Sequence, residues 1–404
     1  MSLAVMACIV AKAESSVTKA ESSVTKAESS VAKAKSLKFS GTPVLWLPLQ
    51  VLLLLACSLL LLLSQPSQAS QINDLYQIEV PVSGQGSNDR SRATSRAMSE
   101  VLVKVTGQRQ TLSDPAIKSA LQKATSYLQG YSYRREEVDG QRQLMLVTRF
   151  DDKAITRLLR DNGLGIWGEN RSTTLMWLAV DEAGHRQIQS SGRPTSLSEN
   201  INQVFDQRAL PLIFPVMDFE DNLAISAVDV WGLFSSKLTE ASTRYGSESI
   251  LGGRLSVSET DKGERYNGRL ILLFRNQRFD ASIEDLSAKG VALAMADLVG
   301  NTLSRHYAVT AGHSENPILR IDGTGTTRAY AGAIAYVEGL TAVRNVMVKR
   351  VSGDQLELEL TIDGTVEQLS DSIALERRLQ KVEPDGQSVA GNGEGYLHYR
   401  WRGR

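Results

Sequence analysis

Residues that could hold a transition metal are few in this chain. The four histidines are His185, His306, His313 and His398, and they form no i,i+4 pair. Both cysteines, Cys8 and Cys57, precede residue 69. Zinc and related metals need clustered imidazole or thiolate ligands. The sequence therefore predicts no metal site, and no disulfide after residue 69.

A G-x-G-x-x-G pattern, which dinucleotide-binding proteins use, occurs at Gly163, Gly165 and Gly168. That site requires a strand before the glycines and a helix after them, so that the pyrophosphate meets a helix N-terminus. Here the preceding segment has a helical pattern, and the bulky Trp167 would crowd the ligand. We therefore predict no nucleotide cofactor.

Serine nucleophiles lack the motifs that activate them. The only S-x-x-K matches are Ser16 to Lys19 and its repeats, which precede a long apolar segment, and G-x-S-x-G is absent. Three groups of carboxylates could make an acid–base pair only if the fold aimed two of them into one cleft. These groups are Asp151 with Asp152, Asp218 with Glu220 and Asp221, and Glu357 with Glu359. We predict no catalytic residue, no cofactor-binding residue and no small-molecule ligand.

Two groups of residues leave a binding role open. The basic residues of and after the first predicted helix are Arg90, Arg92, Arg96, Lys104 and Arg109. They form either a surface for an acidic partner or a solvated helix face. The C-terminal tail contains Tyr396, Tyr399, Arg400, Trp401 and Arg402. It is either a binding segment, since these residue types are common in interface hot spots, or an edge strand docked on the preceding module.

The elements that position these residues divide the region after residue 69 into modules. The length of 404 residues suggests two or three domains. Residues 70–170 show strand, two helices, hairpin and helix patterns, and we predict a small α+β domain. Residues 171–312 alternate strands and helices. They include one strand predicted from Leu210 to Val216 and one helix predicted from the apolar positions between Val230 and Ala241. This alternation of strands and helices indicates a three-layer α/β domain.

The last module has the clearest pattern. Residues 316–381 have the order βαββα, which is typical of a ferredoxin-like fold. The alternating Leu356, Leu358, Leu360 and Ile362 define its buried strand face. Residues 382–404 are a glycine-rich linker followed by the aromatic and basic tail.

The N-terminal residues 1–69 predict a membrane-targeting helix. Residues 44–63 read VLWLPLQVLLLLACSLLLLL, long enough to span a bilayer, and six lysines precede them. Upstream lie three seven-residue repeats beginning at Ala13. Either signal peptidase cleaves after Ala69, which ends a small-x-small pattern, or residues 44–63 remain as an anchor. In both cases the lysines keep the N-terminus cytoplasmic, and residues 70–404 are expected outside the cytoplasm, in the periplasm.

The order of these segments resembles an uncharacterised proteobacterial family, domain of unknown function 2066. The similarity spans residues 70–310 and is most specific at Trp167-Gly168, Arg171 and Trp177-Leu-Ala179. This chain has Ser172 where the family pattern has proline. The resemblance implies an exported protein of the Gram-negative cell envelope, and it supplies no catalytic residues.

These observations favour a non-enzymatic adaptor that binds another envelope protein from the periplasm or from the periplasmic face of the inner membrane. After residue 69 the chain has 39 basic and 42 acidic residues, so we predict no nucleic-acid partner. The alternative is a hydrolase or transferase that acts on cell-wall material through acidic residues. Two carboxylates lining one cleft would favour that enzyme, whereas an exposed apolar or edge-strand surface would favour the adaptor.

Overall fold

A computed structural model describes residues 70–71, 74–138, 141–261, 263–312, 314–382 and 396–403. Residues Ser67–Arg404 form one compact unit. Its architecture is mixed α+β, as predicted, with ten α-helices and three main sheets within the described ranges. The predicted membrane-targeting helix at 44–63 lies outside the described residues. Within them, no helix combines the length and apolar composition needed to cross a membrane.

The first part packs one long helix on an antiparallel sheet of order β2-β4-β3. Its elements are β1 (Ser70–Gln71), β2 (Gln77–Val82), α1 (Ser87–Thr106), α2 (Pro115–Gln122), β3 (Leu128–Val138), β4 (Gln141–Phe150) and α3 (Asp152–Asp161). Helix α1 ends where Gly107 adopts φ +74°, a left-handed conformation that glycine tolerates best. Asp114 caps α2 by accepting from the Ala116 backbone N–H at 2.8 Å. The predicted hairpin turn at residues 139–140 lies outside the described residues.

The central part is a sheet between two helical layers, as predicted. Its strands are β5 (Asn170–Arg171), which pairs with β1, and β6 (Thr174–Glu182), β7 (His185–Ile188), β8 (Leu212–Ile213), β9 (Ser249–Thr260), β10 (Gly263–Phe274) and β11 (Gln277–Leu286). Its helices are α4 (Ser196–Gln207), α5 (Phe219–Ala224), α6 (Ala227–Gly232), α7 (Ser235–Ser242) and α8 (Ala288–Tyr307). Met176 and Leu178 of β6 pack in the cluster with α4 and α8, whereas Trp177 packs in the cluster with α6 and α7.

The sheet order is β11-β10-β9-β6-β7, and β8 pairs in parallel with the beginning of β6. Two local predictions are wrong here. The strand predicted from Leu210 to Val216 is reduced to β8, because the segment contains Pro211 and Pro215, which have no backbone N–H to donate. The helix predicted from Val230 to Ala241 is interrupted because Leu233 adopts φ +52°, and the helices α6 and α7 lie on either side of it.

The C-terminal part confirms the βαββα order and adds three strands, one before it and two after it. Its elements are β12 (Ser314–Glu315), β13 (Ile318–Asp322), α9 (Thr327–Glu338), β14 (Val343–Ser352), β15 (Gln355–Asp363), α10 (Val366–Leu375), β16 (Leu379–Lys381) and β17 (Tyr396–Trp401). In a ferredoxin-like sheet the strand after the second helix would lie beside β13. Here the tail strand β17 takes that position, parallel to β13, and β16 moves to the edge.

Burial explains the position of the tail. Strand β16 has only three residues, whereas β17 places Leu397 and Tyr399 in the core. Trp401 packs against Tyr336 with ring centroids 6.0 Å apart. Of the two interpretations of the tail, the structure supports a docked strand, which is internal to the sheet and not at its edge.

A buried arginine connects the first and central parts. Arg171 is fully buried, and its guanidinium lies 4.2 Å from the centroid of the Trp167 ring. It donates five hydrogen bonds of 2.6–3.2 Å to the backbone carbonyl oxygens of Lys104, Trp167, Gly168, Arg208 and Ala209. Burial lowers the pKa of Arg171 to about 9, so the side chain remains a cation at neutral pH.

Candidate functional site

An exposed apolar surface lies on the helical layer formed by α5 and α6. Phe219 and Leu223 of α5 are 79% and 73% exposed, and their i,i+4 spacing puts them on one helix face. Val216 before α5 and Val228 in α6 are also more than half exposed. We call these four residues the α5–α6 surface. Single exposed apolar residues are ordinary, but such a group on adjoining short helices is typical of an interaction site.

Polar contacts between Arg244 and two aspartates hold α5 in place. The Arg244 guanidinium contacts both carboxylate oxygens of Asp218, with Nη1–Oδ1 and Nη2–Oδ2 distances of 2.6 and 2.8 Å. Its Nη1 also lies 3.0 Å from Oδ1 of the fully buried Asp221. Asp218 caps α5 by accepting from the Asp221 backbone N–H. The Arg244 contact is the main reason that the pKa of Asp218 lies well below its usual range.

A second set of contacts fixes the chain that enters α5. Tyr245 donates its hydroxyl proton to Oδ2 of Asp221 at 2.6 Å and accepts from the Val216 backbone N–H at 2.9 Å. The same Asp221 oxygen accepts from the Met217 backbone N–H at 2.8 Å. Burial, followed by the bond to Asp221, raises the pKa of Tyr245 to about 12. Because a six-residue helix is not stable alone, these contacts are what present Phe219 and Leu223 to solvent in one geometry.

A groove of about 750 Å³ borders this surface. The segment that contains Ile188 and Arg193 forms one wall, and Val216, Ile225 and Ala227 form the other. Val216 therefore belongs to both the groove and the α5–α6 surface. A projecting apolar helix beside an open groove offers a partner protein both a ridge and a recess.

The other exposed apolar group lies on β14, the edge strand of the C-terminal sheet. Met347, Val348 and Val351 are exposed there. This edge also has Lys349 and Arg350, and its register with β15 shifts at two places. Charged residues and bulges are the devices by which proteins prevent edge-to-edge pairing. We therefore interpret β14 as a protected edge, and the α5–α6 surface as the better docking site.

The carboxylates that sequence analysis selected have structural partners. Asp151 caps α3 through the Ala154 backbone N–H, Asp218 and Asp221 hold Arg244, and Glu357 lies 3.8 Å from Arg350. The three groups lie on different elements and in different parts of the unit. The prediction of no catalytic residue stays a prediction.

The basic residues near α1 do not act as one surface. Arg92 pairs with Asp89, Arg96 donates to the Pro81 carbonyl, and Lys104 is buried, where it donates to the Asp74 and Gln77 carbonyls. Burial lowers the pKa of Lys104. Arg109 lies 3.5 Å from Asp297. Separate local partners favour a solvated helix face for Arg92 and Arg96, whereas Lys104 fits neither interpretation because it is buried.

The histidines and the glycine motif also have local surroundings. His306 bonds to Asp371 and His398 to Asp322, whereas His313 lies outside the described residues. Gly163 to Gly168 follow helix α3 and precede β5, so the strand–glycine–helix order of a dinucleotide site is not formed. No cluster of three or more metal-ligating side chains occurs in the described part of the chain.

The α5–α6 surface was missed by sequence reasoning, which singled out Asp218, Glu220 and Asp221 only as carboxylates. A local pattern was available: Asp218 can cap a short helix on which Phe219 and Leu223 share a face. Their exposure depends on Arg244 and Tyr245, which are more than twenty residues away in the chain. No periodicity could reveal that contact.

One segment of the chain matches a model of a known protein family. Residues 69–168 match a family model described as Domain of unknown function (DUF8605). The matched segment contains α1, the first sheet and the loop up to Gly168. It confirms the expectation of an uncharacterised domain, although not the particular family named from the sequence. No curated protein matches the chain.

Proposed function

We propose that this protein is a cell-envelope adaptor that binds another protein through the α5–α6 surface. The observation that carries the proposal is that the exposed apolar side chains lie on a short helix that Arg244 and Tyr245 anchor through the buried Asp221. Burying one large apolar side chain contributes roughly 1.5–3 kcal/mol. Preorganisation by Arg244 and Tyr245 means that little ordering entropy opposes binding.

The charges around the surface specify the chemistry of the partner. Asp218, Glu220 and Asp221 contact Arg244, and Asp229, the third residue of α6, accepts from the backbone N–H of the N-cap residue Ser226. The surroundings are therefore acidic. We expect a protein with an apolar recess for Phe219 and a basic rim, because complementary potentials accelerate and orient association.

The cellular location is part of the same proposal. The apolar residues 44–63 after six lysines support export to the periplasm, either as a cleaved protein or as one anchored in the inner membrane. The resemblance to domain of unknown function 2066 supports a proteobacterial, Gram-negative envelope origin. Mass spectrometry of the mature chain tests the two forms: cleavage gives a chain that begins at Ser70, and retention leaves residues 1–69 in place.

In-cell crosslinking of the tagged full-length chain tests the adaptor function. We expect one envelope protein to be enriched reproducibly, and we expect Phe219→Ser and Leu223→Ser each to reduce its recovery by at least about tenfold, the equivalent of 1.4 kcal/mol. The matched control is Met347→Ser, which removes an exposed apolar residue from β14. Equal recovery with all three variants would contradict the proposal.

Charge reversal supplies a second test on the purified pair. Glu220→Lys changes an exposed rim residue that contacts Arg244 only at 3.5 Å. We expect a slower association rate and a weaker dependence on salt, with little change in dissociation. An unchanged association rate would mean that the partner has no basic rim.

A further inference from the structure

A pocket lies between the end of helix α8 and the turn that joins β10 to β11. Its volume is about 400 Å³, which is in the range of small-molecule sites. Thr302, Arg305 and His306 line the pocket from one face of the helix, because their spacings are i,i+3 and i,i+4. The hairpin supplies the other lining residues, which are Phe274, Arg275, Gln277 and Phe279.

The hydroxyl group of Thr302 is available to a ligand in this pocket. Thr302 is 7% exposed, and its hydroxyl makes no hydrogen bond within the described part of the chain. It is not one of the unpaired side-chain oxygens that are sealed from solvent, so it opens into the pocket that it lines. Buried hydroxyl groups nearly always have a partner. An atom inside the pocket is therefore needed to complete the hydrogen bonding of this group.

The charged side chains that line the pocket are the cations Arg275 and Arg305, together with His306. Nη2 of Arg275 lies 2.7 Å from Oδ1 of Asp371, and Nε2 of His306 lies 2.8 Å from Oδ2 of the same carboxylate. Asp371 therefore offsets the charge of Arg275. Arg305 is exposed and has neither an ion pair nor a hydrogen bond to another described residue. The pocket thus presents one guanidinium without a counter-ion.

The sign of the lining charges distinguishes this pocket from the cleft of about 430 Å³ where the first and C-terminal parts meet. Glu169 and Glu376 line that cleft together with two arginines, so charges of both signs offset one another there. Among the residues that the structure describes, no carboxylate lines the pocket beside α8. Glu248, whose charge acts on Arg275, accepts the hydroxyl proton of Tyr307 at 2.7 Å. The lining charge therefore favours an anion.

The turn between β10 and β11 fixes Arg275 at the pocket. Arg275 and Asn276 adopt φ +48° and +60°, a conformation in which hairpin turns usually have asparagine or glycine. Arginine is strained there, and strain of this kind persists only where surrounding contacts impose it. The ion pair with Asp371 supplies such a contact, and the guanidinium lies 5.8 Å from the centroid of the Phe274 ring. Strained residues cluster at ligand sites, so the turn is a second indication of a ligand.

We propose that this pocket binds a small aromatic carboxylate. Its carboxylate accepts from the Arg305 guanidinium and from the Thr302 hydroxyl, and its ring packs against Phe274 and Phe279, since aromatic pairs are favourable beyond their buried area. One uncompensated guanidinium matches the single charge of a carboxylate, and the two groups bind as complementary forks. This inference does not depend on the α5–α6 surface, which is formed by other helices.

Ligand-observed NMR titration of the purified full-length protein with benzoate tests the proposal. Benzamide has the same shape without the charge, and acetate has the charge without the ring. We expect benzoate to bind at least about tenfold more tightly than either probe, since each lacks one of the two contacts. Inorganic phosphate is the probe for a simple anion site.

Three variants separate binding from folding. Arg305→Gln should weaken benzoate binding about tenfold or more, because it removes the cation from an exposed position. Thr302→Val keeps the side-chain shape and removes a hydroxyl that has no partner in the described chain, so we expect weaker binding at an unchanged or higher melting temperature. Arg157→Gln, at an exposed arginine on α3, is the matched control and should leave binding unchanged.

Three results would overturn the proposal. They are no saturable binding of benzoate, binding of benzamide as tight as that of benzoate, and unchanged benzoate binding to Arg305→Gln or to Thr302→Val. Binding of phosphate alone would also overturn it, in favour of a simple anion site.

Discussion

Replacement of Arg171 by methionine is the sharpest test of how the unit is held together. The guanidinium joins Lys104 and Trp167 on the side of the first part to Arg208 and Ala209 on the side of the central part. Methionine fills a similar volume but donates no hydrogen bond. The substitution therefore removes the polar connection and leaves a small change in packing.

The expected cost follows from the five carbonyl oxygens that lose a donor. Leaving a buried polar group without its partner costs about 1–3 kcal/mol. We use about 1 kcal/mol for each carbonyl, because a carbonyl oxygen can accept a second hydrogen bond, and the total is roughly 5 kcal/mol. Relief of the burial that lowers the pKa of Arg171 offsets part of this loss. We expect a net loss of roughly 3–5 kcal/mol, which is about 4–7 °C in melting temperature for a protein of this size.

Differential scanning calorimetry measures this effect against a matched control. Arg186 also lies over a tryptophan, 4.4 Å from the Trp231 ring centroid, but it is exposed and pairs with Asp181 at the surface. Arg186→Met should lower the free energy of unfolding by less than about 1 kcal/mol. Arg171→Lys retains the charge with fewer donors and should recover less than half of the loss. A melting temperature for Arg171→Met equal to that of Arg186→Met would refute the role assigned to Arg171.

Three other perturbations have defined outcomes. Gly168→Ala forces its Cβ against Thr341 and should cost roughly 1–3 kcal/mol in chemical denaturation, which Thr341→Ala in the same chain should largely recover. Deletion of residues 396–404 removes β17 from inside its sheet, so we expect the C-terminal part to unfold separately by hydrogen exchange, whereas an exposed tail would leave exchange unchanged. Burial and the bond to Glu248 raise the pKa of Tyr307 above its unfolded value of ~10. The stability that the raised pKa of Tyr307 contributes to the folded protein is therefore fully present below pH ~10. It is lost as the pH rises towards the higher pKa of the folded state. Tyr307→Phe should melt lower at pH 7 and lose less stability between pH ~10 and ~11, and a parallel pH profile would contradict this.

Local patterns predicted the elements whose boundaries depend on nearby residues. Gly107 and Asp114-Pro115 mark the end of α1 and the beginning of α2 in the sequence, and the structure has them there. The apolar run that begins at Thr174 is typical of a buried strand, and β6 lies there between β9 and β7. Capping and burial periodicity act within a few residues, so they are visible without the fold.

One error had a local cause, because Pro211 and Pro215 limit β8 and both are visible in the sequence. The others occurred where the fold overrides local preference. Leu233 adopts a left-handed conformation, which a leucine in the sequence does not predict. Strand β17 enters the sheet between β13 and β16 because the tail supplies apolar side chains to a core formed earlier in the chain. Arg171 belonged to the family-like pattern, but its burial could not be foreseen, since charged residues are exposed by default.

The candidate sites were harder to predict than the fold. Phe219 and Leu223 have the pattern of a helix face, and their exposure becomes visible only when Arg244 and Tyr245 are in place. Glu169 and Glu376 lie more than two hundred residues apart in the chain, and the fold alone brings them to one cleft. Two carboxylates that line one cleft are the feature that favours the enzyme alternative, and the sequence does not reveal that these two residues meet.

Site-specific photo-crosslinking in living cells tests the central claim most directly. A photo-reactive amino acid replaces Phe219 in one strain and Met347 in another, and crosslinked products are identified by mass spectrometry. The adaptor account predicts a single discrete envelope-protein adduct from position 219 and none from position 347. No adduct at position 219, or the same adducts at both positions, would contradict the claim that the α5–α6 surface is the docking site.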